Sequence, residues 1–339
     1  MNPPADTTVS PRLRVKSDVE AAKVSRQKRI ANVERLRFLS ACGVASLHTH
    51  AMFPPNFGFG GLLVLLLLHC VFVVARPEPT EFSLLARRKA GRLLKPWLFW
   101  SVVYGAVALA KVIYLGVPFS EVFSPAMLLI GTRIHLWFLP FAFATALVLG
   151  LVHRRIVKVP DRSTVVVAAI IGAMCIFGLP FLQFGVALAA PFAQWVFGFS
   201  AIPLGLAIGR TAVLPSPKDR RNLFLLIGFL VGAACAAHMV LAQLRSGAWL
   251  DQNGNHALRY FIAVIAVCSA LHWRGSLDRV SELLASSSYG IYLVHPLVAT
   301  FLVRVGVLEQ HPLVLLGLVL TASILIALAF QRTRLRQFV

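Results

Sequence analysis

Residues 57–75 read FGFGGLLVLLLLHCVFVVA, from Phe57 to Ala75, with one histidine and no charged side chain. About 20 mostly apolar residues carry an α-helix across the hydrocarbon core of a bilayer. Lipid offers the backbone no hydrogen bonds, and a helix satisfies its own within one segment. The stretch is therefore a membrane span. Nine further runs share its character: 36–53, 97–116, 134–152, 164–182, 190–209, 223–243, 257–273, 288–305 and 312–330. Gly178, Pro180 and Gly185 interrupt the region 164–190. It reads either as one broken span or as a span plus a re-entrant piece.

The whole chain agrees with its spans. Of 339 residues, 58% are hydrophobic and 14% charged. A soluble domain has roughly 45–50% apolar and about 25% charged residues. The net charge of +20 would suggest nucleic acid in a soluble protein. Here the cations sit in short segments between apolar runs, as membrane orientation requires. No nucleic-acid partner is expected. All five cysteines fall inside apolar runs, so no disulfide framework is expected. The first ~30 residues are polar and basic, unlike a cleavable signal peptide.

Basic residues give the orientation. With a cytoplasmic N-terminus, the inside segments are 1–37, 76–95, 153–163, 210–222, 272–287 and 331–339. They hold 9, 6, 4, 4, 2 and 3 Lys and Arg, which is 28 of the 33. The other five, Lys111, Arg133, Arg245, Arg259 and Arg304, lie near outer ends. This bias predicts an all-α polytopic bundle of about ten transmembrane helices with both termini cytoplasmic. Residues 1–33 are expected to be a disordered basic tail, 34–330 the membrane domain and 331–339 a cytoplasmic tail. The basic tail suits attraction to anionic membrane lipid.

Ionisable groups inside a span usually mark function. No carboxylate lies in a span core; the deep groups are His48, His50, His69, His238 and His295. Imidazole is the natural base near neutral pH. On one helix, Arg37 and His48 are eleven residues apart, three turns plus about 20°, and about 16 Å along the axis. Glu34 lies about 40° off the same row, and His50 faces nearly opposite. The stripe Glu34, Arg37 and His48 is thus a candidate catalytic row; a lone histidine bonding a neighbouring helix is the plainer reading.

Three more features stand out. Arg87, Arg88, Lys89, Arg92 and Lys95 crowd the segment before the third span, and Pro96 suits a helix start there. Such a cluster anchors the inner face or holds phosphates. His135 and Trp137 lie at the outer mouth of the fourth span, a depth where aromatics are usually interface anchors. In the ninth span, Tyr289 and Tyr292 share a helix face that His295 continues. Such a row is commonly interhelical glue.

In order and spacing these four features resemble the acyltransferase 3 family of integral-membrane enzymes, which O-acylate sugars of surface glycans and related acceptors. The resemblance runs from about residue 34 to 330. Arg37 and His48 match the family's first-helix Arg-to-His motif, whose His is regarded as catalytic. Lys89-Ala-Gly-Arg92-Leu-Leu-Lys-Pro96-Trp97 is similar to its paired-basic motif, with Lys89 where the family usually has Arg. His135-Leu-Trp137 resembles the aromatic motif, and Ser288-Tyr289-Gly-Ile-Tyr292-Leu-Val-His295-Pro296 the late-helix motif. The family often has an acid near the tryptophan; here Phe138 follows Trp137.

The resemblance implies a membrane-bound O-acyltransferase using acyl-CoA, expected to be acetyl-CoA, with no metal. The acceptor would be a glycan or lipid-linked saccharide, and the location a bacterial inner membrane. His48 would be general base or acyl carrier, with Arg37 and Glu34 in its row. Arg88, Lys89 and Arg92 would bind the donor; His135, Trp137, Tyr292 and His295 would face the acceptor. The competing class is a transporter of lipid-linked saccharides. No internal repeat supports it.

Overall fold

The computed structural model describes residues 30–49, 55–76, 78–157, 159, 161–185, 188–247, 252–273, 275–276, 278–306 and 311–339. Most of the expected basic tail, residues 1–29, and His50 lie outside them. The described chain is a bundle of α-helices with no strand among the described residues. In chain order its long elements are α1 (Ala31–Ser46), α2 (Pro55–Val74), α3 (Phe82–Leu115), α4 (Phe138–Ile156), α5 (Asp161–Gly185), α6 (Phe192–Ala212), α7 (Pro217–Ser246), α8 (Gln252–His272), α9 (Arg279–Arg304) and α10 (Pro312–Gln331). Eight helices among the described residues are long and apolar enough to cross a membrane. α1, with 16 residues, and α8 are not among those eight; they fall on the first and eighth apolar runs.

The stretch that reads as lipid-soluble on every side becomes the axis of the bundle. Leu63, Leu66, Leu67, Cys70, Val71 and Val74 of α2 are all 0% exposed. α1, α4, α6 and α8 pack around it. Glycine allows the closest approaches. A Cβ on Gly61 would stand 2.6 Å from the Ser40 oxygen of α1, and one on Gly205 of α6 would collide with Cys70. Small residues let membrane helices meet backbone to backbone, where dispersion and close packing replace the missing hydrophobic drive.

Several boundaries differ from the sequence reading or settle what it left open. The first span does not stay α-helical to residue 53. It ends at Ser46, and Leu47, His48 and Thr49 donate to carbonyls three residues back, at 3.2, 3.1 and 3.4 Å. The third helix begins at Phe82 rather than near 97. Pro96 does not start it; a π-turn over Ala90–Leu94 absorbs the proline within a continuous helix. Proline lacks an N–H, so the Arg92 carbonyl has no α-helical donor, and the Tyr289 hydroxyl donates to it at 3.2 Å. The broken-or-re-entrant region resolves as one helix, α5, with Pro180 inside it.

The basic segments meet at one end. Arg35 of α1 donates to Asp278 at 2.7 Å, to Ser281 at 2.9 Å and to the Ser276 carbonyl at 3.3 Å. Asp278 also caps α9, accepting from the Ser281 backbone N–H at 2.7 Å. Buried Arg210 gathers Asp161 (Nε at 2.9 Å), the Arg76 carbonyl and His153, joining α6, α5 and α4. Residues 334–338, within the expected C-terminal tail, form a 3-10 turn docked on α3. Trp100 donates to the Phe338 carbonyl at 2.9 Å, and Phe99 stacks on Phe338 at 4.3 Å.

Candidate active site

Three imidazoles from distant parts of the chain form a triangle. The ring centroids of His48 and His295 are 5.0 Å apart, those of His135 and His295 5.9 Å, and those of His48 and His135 6.2 Å. His48 follows α1, His135 lies on a 3-10 turn (Ile134–Trp137) before α4, and His295 is on α9. His295 is 0% and His135 7% exposed, while His48 is half-buried. No group of three or more His, Cys, Asp or Glu among the described residues is spaced to hold a metal ion.

Pro296 explains how α9 presents its side chains. The proline removes the donor for the Tyr292 carbonyl and its ring crowds that turn. Carbonyls in the loosened turn are taken by side chains, as membrane helices require. Nδ1 of His295 donates to the Ile291 carbonyl at 2.9 Å, and the Tyr104 hydroxyl of α3 donates to the Leu293 carbonyl at 2.7 Å. A carbonyl only accepts, so Nδ1 of His295 carries the proton and Nε2 the lone pair. That Nε2 is buried and has no hydrogen-bond partner among the described residues.

His135 is held from both sides. The Tyr292 hydroxyl donates to its backbone carbonyl, and the Tyr104 ring stands edge-on to the imidazole at 5.0 Å. Upstream, Gly131 adopts φ 76°, and Thr132 donates to the Ser101 carbonyl at 2.6 Å. A side chain at Gly131 would meet Ser101 Oγ at 2.7 Å besides straining the left-handed backbone. This turn folds the segment into the bundle. Hence Trp137 is not an interface anchor: it is 5% exposed and packs on Phe141 at 5.6 Å. Tyr292 likewise spends its hydroxyl on the protein.

The catalytic row expected on α1 is partly redrawn. Arg37 pairs with Glu34 at 3.2 Å, and Glu34 is 9% exposed. The row continues as α-helix only to Ser46. Beyond it the 3-10 winding adds about 20° per residue over the α-helix. His48 is therefore placed by that tightened turn and by its packing against His135 and His295.

A second site lies toward the basic end. His69 of α2 donates from Nε2 to the Ala142 carbonyl at 2.8 Å. It sits within electrostatic reach of Lys89, Arg92 and Arg37. The side chains of Arg88, Lys89 and Arg92 make no hydrogen bond or ion pair among the described residues. Arg88 and Arg92 are exposed and Lys89 half-buried on the helical turns around the π-turn. Sequence reasoning named these cations, and His69 only as one of the deep histidines; it did not bring the two together. It also missed Tyr104, whose only signal was a tyrosine inside an apolar span.

A family model described as an acyltransferase domain matches residues 30–332, nearly the whole chain. No curated protein and no solved structure matches it.

Proposed function

This chain belongs to the acyltransferase 3 family and is an integral-membrane acyltransferase, and we propose that it moves an acetyl or other acyl group from acyl-CoA to a sugar hydroxyl of a surface or lipid-linked glycan. The location proposed is a bacterial inner membrane. Family membership replaces the transporter reading. The observation that carries the substrate assignment is the polarity of the two sites along α1. Lys89, Arg92 and Arg37 gather around His69 at one level, and imidazoles gather around His48 at another.

Arg88, Lys89 and Arg92 hold the phosphates of CoA by charge-assisted hydrogen bonds. Arg37, fixed by Glu34, guides the donor past His69. From Arg37 to His48 the rise is about 17 Å, a length the pantetheine arm covers. At the cluster, His48 takes the proton of the acceptor hydroxyl as its oxygen attacks the thioester carbonyl, or it first carries the acyl group itself. The carbon–sulfur bond breaks and the thiolate leaves, protonated, as CoA. His135, oriented by Tyr104 and Tyr292, lines the acceptor side. Trp137 supports that wall through Phe138 and Phe141.

Acyl transfer from radiolabelled acetyl-CoA, in vesicles from cells deleted for this gene and re-expressing it, tests the reading. Label in the glycan that requires the protein and is lost with His48→Ala supports it. Label that is independent of the protein overturns it.

A further inference from the structure

His295 has a proton-accepting atom in the cluster that no other group among the described residues uses. Its tautomer is set by the helix: Nδ1–H goes to the Ile291 carbonyl at 2.9 Å, leaving the lone pair on Nε2. The side chain is 0% exposed, and Nε2 has no partner among the described residues. Buried acceptors are normally satisfied, and an exception calls for a reason. Of the three ring pairs, His48–His295 is the closest, at 5.0 Å. His135 Nε2 is likewise buried without a partner among the described residues, but its ring stands farther from His48, at 6.2 Å.

We infer that transfer runs in two steps, and that His295 Nε2 is the base of the second. This rests on the acyl-transfer reading above. In the first step a His48 nitrogen attacks the thioester carbonyl. A carbon–nitrogen bond forms, the carbon–sulfur bond breaks, and the electron pair leaves on sulfur. The thiolate takes the proton released from the other His48 nitrogen, giving CoA and a neutral acyl-imidazole. The remaining nitrogen of an acylated imidazole is only weakly basic, because the acyl group withdraws its electrons, so His48 is then a poor base for the acceptor. In the second step the acceptor hydroxyl, hydrogen-bonded to His295 Nε2, gives that atom its proton and attacks the acyl carbon. The carbon–oxygen bond forms, the carbon–nitrogen bond breaks, and its electron pair returns to His48. The proton on His295 then passes to His48, restoring both rings.

The two steps separate experimentally. In the acceptor-free purified protein, unlabelled acetyl-CoA and labelled CoA should exchange label, because the first step is reversible. His295→Gln should retain that exchange within about threefold and carry acetyl on the peptide containing residue 48. Its transfer to glycan in vesicles should fall by ~10²–10⁴. Retained exchange also shows that the variant is folded. Exchange absent from a wild-type protein that transfers acetyl to glycan overturns the two-step inference and leaves the acyltransferase reading intact. Transfer at the wild-type rate by His295→Gln overturns the role of His295, as does loss of exchange together with transfer. A wild-type protein that shows neither exchange nor transfer fails the proposed function itself.

Discussion

The hydroxyl of Tyr104 donates to the carbonyl oxygen of Leu293 at 2.7 Å, joining α3 to the proline-loosened turn of α9. The same tyrosine ring backs His135 at 5.0 Å. One side chain thus sets the distance between the helix carrying His295 and the turn carrying His135.

Tyr104→Phe should keep the ring and lose the bond. The buried Leu293 carbonyl would be left unmet, at a cost of about 1–3 kcal/mol. Thermal unfolding in detergent should show a lower midpoint. Acyl transfer should fall severalfold in kcat with the KM for acyl-CoA unchanged, because the cations proposed to bind the donor phosphates lie elsewhere. A raised KM with unchanged kcat would contradict the assignment of Tyr104 to the histidine cluster.

Lys89→Ala and Arg92→Ala should raise the KM for acyl-CoA with a smaller effect on kcat. Added salt should mimic them, since exposed charge pairs are screened. Lys89→Arg should preserve or improve donor binding, because a guanidinium grips phosphate with two parallel donors. Unchanged donor affinity in the double alanine variant would reduce the cluster to an orientation signal.

The clamp at the basic end predicts a pH signature. The Ser281 backbone N–H, then the Arg35 guanidinium and the Ser281 hydroxyl, hold the Asp278 carboxyl down at about 2. Its folded pKa is below the unfolded one, so its contribution is complete above about pH 4. That contribution is lost as pH falls toward 2. Melting midpoints of wild type and Asp278→Asn, followed from pH 5 to pH 2, should converge at the acid end. A gap that widens on acidification would reverse the sign.

Much of this was legible in the sequence, and the reasons are physical. Membrane insertion depends on summed apolarity, so 57–75 announced its helix without any tertiary information. The structure then placed it at the axis. His48, His135, Tyr292 and His295 were recoverable because an ionisable or hydroxyl group inside an apolar run is conspicuous. Where their rings would meet was not, since this depends on how the turns after α1 and before α4 pack against α9. Pro96 misled because a proline at a helix start and a proline absorbed by a π-turn look alike until Tyr289 is seen serving the Arg92 carbonyl. Trp137 misled because a tryptophan near a span end usually seeks the interface. Here the left-handed Gly131 and the Thr132 bond to Ser101 turn the segment inward. The Arg35–Asp278 contact links opposite ends of the chain and leaves no local pattern beyond the N-cap aspartate.

Orientation rests on loop charge. With the five native cysteines removed, single cysteines at Ser83 and Ser124, both exposed, should separate by side. Ser124→Cys should react with an impermeant thiol reagent in intact cells. Ser83→Cys, in the basic segment, should react only after the inner face is opened. The reverse pattern would place the donor cations in a compartment without CoA.

The central claim is that His48 carries the chemistry, and its most direct test is acetyl transfer by His48→Gln. An amide matches the shape and hydrogen bonding of imidazole but neither takes a proton nor holds an acyl group. The account predicts a loss of ~10²–10⁴ in rate, with the amount of protein in the membrane and its thermal midpoint unchanged. His50→Ala, measured alongside, should lose far less. Transfer by His48→Gln within a few-fold of wild type, or a greater loss at position 50 than at 48, would contradict it.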